Sequence, residues 1–248
     1  GNDILYKHLI MGKVALISSG KGGVGKTTVA VNLGATLALK GARVVLVDFN
    51  MGLRNLDIYM GMEDRCLFDL GDVFTGVCRV ERALVHDERF GELYMLPCPQ
   101  FKDIAGISAE HITSLFALLK SRFDYILMDM PLNMGAALEC AAPSADIGIL
   151  VLIPDFIALR NADTMDRRLE ALGIRKRCYI VNKVDMKLQA SAAVPDMEKI
   201  DRNMRIPMAG IIPCDENIHS GNNSGTPVVI AQNSYIAKNF SNIACRIF

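Results

Sequence analysis

Residues 20–28 read Gly20-Lys21-Gly22-Gly23-Val24-Gly25-Lys26-Thr27-Thr28, directly after an apolar run, VALIS at 14–18, and directly before a helical pattern over 26–40 that stops at Gly41. A GxxxxGK[ST] pattern between a strand and a helix is the signature of a phosphate-binding loop. Its glycines let the chain curl so that backbone N–H groups converge on phosphate oxygens, and the following helix N-terminus adds favourable partial positive charge. Gly20, Gly22, Gly23, Val24, Gly25, Lys26, Thr27 and Thr28 are therefore expected nucleotide contacts, while Lys21 is not needed to hold phosphate within one subunit. Lys26 is expected to reach the β- and γ-phosphates, and the Thr27 hydroxyl to ligate Mg²⁺. The bare pattern arises by accident in roughly 1% of chains of this length, and the strand before it and helix after it lower that further.

Outward from the loop, short apolar runs recur: RVVLVD at 43–48, ELYMLP at 92–97, YILMD at 125–129, IGILVLI at 147–153, CYIVN at 178–182 and AGIIP at 209–213. Helical patterns lie between them near 108–121, 156–172 and 196–204. The runs are continuously apolar rather than alternating, as strands covered on both faces are. Alternation of strand and helix implies right-handed crossovers, hence a mostly parallel central sheet with helices on both faces. The fold class is α/β, one P-loop nucleoside-triphosphatase domain over 11–248. Met11-Gly12-Lys13 leads straight into the first strand, so residues 1–10 read as an extension or a cloning remnant.

Charge narrows the partners. Lys+Arg and Asp+Glu both number 27, without the basic excess usual in proteins that live on nucleic acid. The seven cysteines include no CxxC pair, and the four histidines have no metal-ligand spacing, so neither a zinc site nor a disulfide framework is expected. No run approaches the roughly 18 apolar residues of a membrane span, and the N-terminus lacks the features of a signal peptide. The expected location is the cytoplasm. Asp129 closes an apolar strand, where a carboxylate beside a phosphate loop would sit near Mg²⁺ through water.

KGGVGKTT as a whole resembles the deviant Walker A motif of the MinD, ParA and nitrogenase iron-protein group. The segment VVLVDFNMGLRNLDIYMG at 44–61 is similar to the MinD branch of that family, as is the tail with Ile206-Pro207, Gly210, Ile212-Pro213, Asp215-Glu216 and 223–229, NSGTPVV. The likeness runs from about Met11 to Phe248. It implies that Lys21 crosses a dimer interface to the partner's nucleotide, so that ATP joins two subunits. It implies a role for Asp48 near the metal and for Asn182, Pro213 and Asp215 at the base. Asn182-Lys183-Val184-Asp185 also matches the guanine-reading NKxD motif, so both adenine and guanine remain open.

The function implied is an ATP-dependent dimerising ATPase switch in placement of the division septum, using ATP and Mg²⁺. Its partners would be a MinC-type inhibitor and a MinE-type stimulator. Contact with the inner face of the cell membrane would require an amphipathic helix beyond Phe248. Two alternatives are a nucleotide-holding scaffold that does not hydrolyse ATP and a ParA-like partition ATPase. Ile236, Phe240, Ile243 and Ile247 form one apolar stripe, read here as core packing rather than membrane contact.

Two positions depart from the family pattern. Asn50 stands where the family carries the aspartate that handles the attacking water, and an amide cannot accept a proton. Asn133 stands where a glycine would let a backbone N–H approach the γ-phosphate. Both bear on turnover, not on binding. Lys26→Ala should lower Mg-ATP affinity about tenfold to a hundredfold, the worth of one charge-assisted phosphate contact, roughly 1.5–3 kcal/mol. Calorimetry on parent and mutant tests this; equal affinities would remove the site from this loop.

Overall fold

The computed structural model describes residues 11–99, 107–132 and 135–248. The expected extension at 1–10 lies outside the described residues. The first strand, β1 (Lys13–Ser18), sets the layering. Its Ala15 and Ile17 pack into one core, Val14 and Leu16 into another, and all four are fully buried. Successive side chains of a strand point to opposite faces, so a strand apolar at every position must be covered on both.

The remaining strands are β2 (Val44–Asp48), β3 (Val85–Asp87), β4 (Leu93–Leu96), β5 (Tyr125–Asp129), β6 (Ile147–Leu152), β7 (Lys176–Val184) and β8 (Met208–Pro213). They form one eight-stranded sheet in the order β3-β4-β2-β5-β1-β6-β7-β8. Every pairing is parallel except β3 with β4. The longer helices are α1 (Lys26–Leu39), α2 (Ala109–Arg122), α3 (Phe156–Ala171), α4 (Glu216–Ser224) and α5 (Tyr235–Ile247). Residues of α1 and α5 share the core with Ala15 and Ile17, whereas α2 and α3 share the other with Val14 and Leu16. The expected sheet with helices on both faces is what forms.

The central position of α1 explains its composition. It is buried without interruption from Thr28 to Ala38, and Gly34 lets it approach the sheet, since a Cβ there would lie 2.5 Å from Leu46 Cδ2. The helix stops where expected: Gly41 takes φ +91, and its N–H and that of Ala42 bond back to the Ala38 and Leu37 carbonyls. The stripe on α5 is core, with Ile236, Phe240, Ile243 and Ile247 all buried.

The sequence reading missed the three-residue edge strand β3, too short to show alternation. It also missed the short helices Leu56–Met60, Leu70–Phe74 and Val80–Ala83, and α4, whose only buried residue is Ile218. β7 runs two residues further at each end than its apolar stretch, because Lys176, Arg177, Lys183 and Val184 continue the strand. Among the described residues no helix is long and apolar enough to cross a membrane.

The chain order places β1 between β5 and β6, where the sheet's winding changes direction. In open α/β sheets the crevice at the carboxyl end of such a point is where ligands bind. The phosphate loop leaves β1 at that end.

Candidate nucleotide site

The loop is wedged between α3 and the end of β7. A Cβ on Gly20 would lie 2.4 Å from the Asn161 backbone, and one on Gly25 would lie 2.3 Å from Asn182 Nδ2. Gly23 and Gly25 take φ +72 and +93, a conformation that other L-residues rarely adopt. Two successive loop carbonyls are held from outside: Lys183 Nζ donates to Gly23 O at 2.7 Å and Asn182 Nδ2 to Val24 O at 2.8 Å. Fixing these carbonyls fixes the peptide planes, and with them the loop N–H groups.

The first helical bond of α1 runs from Val29 N–H to Gly25 O. The N–H groups of Lys26, Thr27 and Thr28 therefore precede the helix's own ladder and are free to meet an anion. Lys26 Nζ donates to Ser19 Oγ at 2.9 Å, and Ser19 Oγ donates to Lys21 O at 2.8 Å. Burial holds the Lys26 ammonium below the ordinary lysine range, with the Asp129 charge opposing that shift.

Asp48 and Asp129 close β2 and β5 as direct cross-strand neighbours, exposed 0% and 1%. Thr27 Oγ1 donates to Asp129 Oδ2 at 2.6 Å. Asn50 joins the two carboxylates: Nδ2 donates to Asp48 Oδ1 at 3.2 Å and to Asp129 Oδ2 at 3.1 Å, while the Asn50 N–H reaches Asp48 Oδ1 at 2.8 Å. Leu56 N–H donates to Asp48 Oδ2 at 3.3 Å. Burial and then the Asp48 charge push Asp129 up to about 7, and burial raises Asp48 as well.

Asp129 Oδ1 is buried without a hydrogen-bond partner. A buried carboxylate oxygen left over beside the Thr27 hydroxyl suits the coordination shell of a hard divalent cation, which takes oxygen donors and keeps several waters. Thr27 and Asp129 thus offer donors that fit Mg²⁺, with Asp48 beside them.

The other expected residues fall around this centre. Lys21 Nζ pairs with Asp155 at 3.1 Å, both side chains being 35% exposed. Asp155 also caps α3 by accepting from Ala158 N–H at 2.7 Å. Pro213 stands in register with Val184, which sets Asn182, Pro213 and Asp215 toward the same, carboxyl end of β7 and β8. Asp215 accepts from Asn217 N–H at 2.8 Å, and Asp185 from Lys187 N–H at 2.8 Å, each at the start of a helix. Asn133 lies outside the described residues. The sequence reading missed Ser19 and Asp155, and had Lys183 only as part of the NKxD match, not as a partner of the loop. Lys183 had a local signal, as the residue after Asn182 at a strand end; Asp155 had none, because its partner lies 134 residues away in the chain, from 21 to 155.

With this geometry in place, residues 15–228 match the family model of the CobQ/CobB/MinD/ParA nucleotide binding domain. The septum site-determining protein MinD of Bacillus subtilis (strain 168) is 38% identical over 239 residues, covering 96% of this chain and 89% of that protein. Among solved structures, the MinC:MinD cell division protein complex of Aquifex aeolicus superposes with TM-score 0.86 at 33% identity, covering 95% of each chain. The septum site-determining protein MinD of Pyrococcus horikoshii OT3, complexed with Mg-ADP, superposes with TM-score 0.84 at 28% identity, over 94% of this chain and 95% of that one.

The carboxylate pair has a cost that can be measured. An aspartate whose folded pKa is raised binds its proton more tightly folded than unfolded. Its unfavourable contribution is absent below its ordinary value of 3.8, grows as pH rises, and is complete above about 7. Asp129→Asn should therefore raise the melting temperature of the nucleotide-free protein, more at pH 8 than at pH 5, by about 2–4 °C per kcal/mol. The same change should weaken Mg²⁺-dependent ATP binding. Thermal melts across that pH range test it; a lower melting temperature at pH 8 would contradict the assignment.

Proposed function

We propose, from the premise that this chain belongs to the CobQ/CobB/MinD/ParA nucleotide-binding family, that it is an ATP-driven switch in placement of the division septum. The observation that carries this reading is Thr27 bonded to a buried Asp129 with one oxygen left over, at the foot of a preformed phosphate loop. Lys26 and the N–H groups of the first turn of α1 bind the phosphates. Thr27, Asp129 and Asp48 would hold Mg²⁺. When bound, the cation neutralises charge that develops on the transferring phosphoryl group. The likeness to the B. subtilis protein and to the Mg-ADP complex supports this activity.

Asn182, Pro213 and Asp215 would hold the base. Asp185 Oδ1 already accepts two N–H bonds, from Lys187 and Leu188, which supports adenine over guanine. The domain spans 11–248. Two copies join with ATP between them, each Lys21 reaching the other's nucleotide. For this, Lys21 must leave Asp155; a half-exposed pair of that kind is worth about 0–1 kcal/mol, so the release costs little beside a charge-assisted phosphate bond. A MinC-type inhibitor is the partner that the Aquifex complex supports. A MinE-type stimulator, a cytoplasmic pool and peripheral contact with the inner face of the cell membrane complete the cycle. Zero net charge and Gly52-Leu53-Arg54-Asn55-Leu56-Asp57 weigh against a partition ATPase on DNA.

Turnover in this protein is slow. Asn50 keeps the place of the family's aspartate but gives its amide protons to Asp48 and Asp129, and it cannot take a proton from water. A second reading, the non-hydrolysing scaffold, rests on the same observation taken to its limit.

Lys21→Ala should abolish ATP-dependent dimerisation while changing monomer affinity for ATP less than twofold, an expectation built on a single half-exposed ion pair. Sedimentation with and without ATP decides it; a mutant that dimerises as the parent does leaves Lys21 a surface charge. Asn50→Asp should raise single-turnover hydrolysis by roughly 10²-fold, the lower end of general-base assistance. It should also lower the melting temperature of the nucleotide-free protein, because a third carboxylate then meets two buried ones. Phosphate release, measured with vesicles and a MinC-type partner present, is the readout. No hydrolysis in either protein would favour the scaffold, and ordinary turnover unchanged by the mutation would assign the water to another group.

A further inference from the structure

The segment from α4 to Val229 lies along α1 and is fixed to it by two asparagines. Asn222 Nδ2 donates to Thr28 Oγ1 at 2.9 Å. One turn along α1, Asn32, 1% exposed, accepts from Val229 N–H at 3.4 Å and donates to Thr28 O at 2.9 Å. On its other side the segment is held by Arg89, which donates to Gly225 O at 3.0 Å and to Met60 O at 2.5 Å. Gly61 and Gly225 approach so closely that a Cβ on Gly225 would lie 2.4 Å from Gly61 Cα. The position of Asn222 over Thr28 is thus set from several directions.

The hydroxyl it meets stands in the first turn of α1, where the residue four back, Val24, precedes the helix. A threonine further along a helix can donate its hydroxyl proton to the carbonyl four residues back. Thr36, on the same helix, does so, donating to Asn32 O at 2.7 Å. For Thr28 the corresponding carbonyl is Val24 O, which already accepts from Asn182 Nδ2 at 2.8 Å. Among the described residues Thr28 Oγ1 donates to none and accepts from Asn222. With a lone pair taken by the amide, the proton of this buried hydroxyl is left for an acceptor in the first turn of α1, where phosphate oxygens would lie.

We propose that Asn222 is a positioning residue for the nucleotide: by donating to Thr28 Oγ1, it fixes the Thr28 hydroxyl as a donor to a phosphate oxygen. The inference rests on the nucleotide reading of the loop. It makes the α4 segment, 194 residues away in sequence, part of the phosphate site.

Calorimetry of Mg-ATP with a double-mutant cycle tests it. Asn222→Leu, close in shape but without a donor, should weaken binding about fivefold, the worth of one hydrogen bond. On a Thr28→Val background the same change should cost less than twofold, and on a Thr28→Ser background, where the hydroxyl remains, about fivefold again. Melting curves of each variant accompany the titrations, and Asn222→Ala replaces the leucine variant if that one unfolds early. Equal losses on the valine and threonine backgrounds would overturn the proposal, since Asn222 would then act through general structure. A parent that fails to bind Mg-ATP would strike the nucleotide reading itself, and the two failures are therefore distinct.

Discussion

Two carboxylates placed side by side out of water, Asp48 and Asp129, govern the architecture around them. Neither could be there for stability alone, because burial resists the ionisation of both and the Asp48 charge further resists that of Asp129. Everything near them works to make the arrangement tolerable. The Thr27 hydroxyl and the Asn50 amide give their protons to Asp129, and the backbone N–H groups of Asn50 and Leu56 give theirs to Asp48. One oxygen is still left unsatisfied. Native proteins keep such costs mainly where function needs them.

The phosphate loop shows the complementary strategy. Its binding groups are backbone N–H donors, which have no side-chain chemistry to tune, so their direction is set by holding the carbonyls at the other side of each peptide plane. Lys183 and Asn182 do this from β7, and Asn161 of α3 and the left-handed glycines close the remaining freedom. Donors arranged before the anion arrives spend less of their interaction energy on ordering. The sheet thus sets the direction of the loop's donors through the residues that flank it.

Much of this was legible in the sequence, and the limits follow from physics. The phosphate loop could be read because its function demands particular residue types at fixed local spacing. The sheet could be read because continuously apolar strands have few other places to go. Asp129 was visible as a polar residue ending an apolar strand. The pairing of Lys21 with Asp155 and the contact of Asn222 with Thr28 were not visible, because each joins segments far apart along the chain through a single side-chain bond. Asn50 was visible as a departure, but its partners were not: that its amide lies between two carboxylates depends on the register of β2 against β5.

That register changes how the asparagine is understood. Viewed along the sequence, Asn50 is an aspartate that has lost its proton-accepting oxygen. Viewed in the fold, it is a donor placed where two buried acceptors need one. An aspartate at the same point would bring a third negative charge within about 3 Å of the other two, a strain that a divalent cation and bound phosphate could offset but the nucleotide-free protein could not. The same atom exchange therefore acts in opposite senses on the two halves of the cycle. It steadies the nucleotide-free fold and removes proton acceptance from the loaded one. On this geometry one amide both supplies two buried carboxylates with a donor and withholds a proton acceptor from the site.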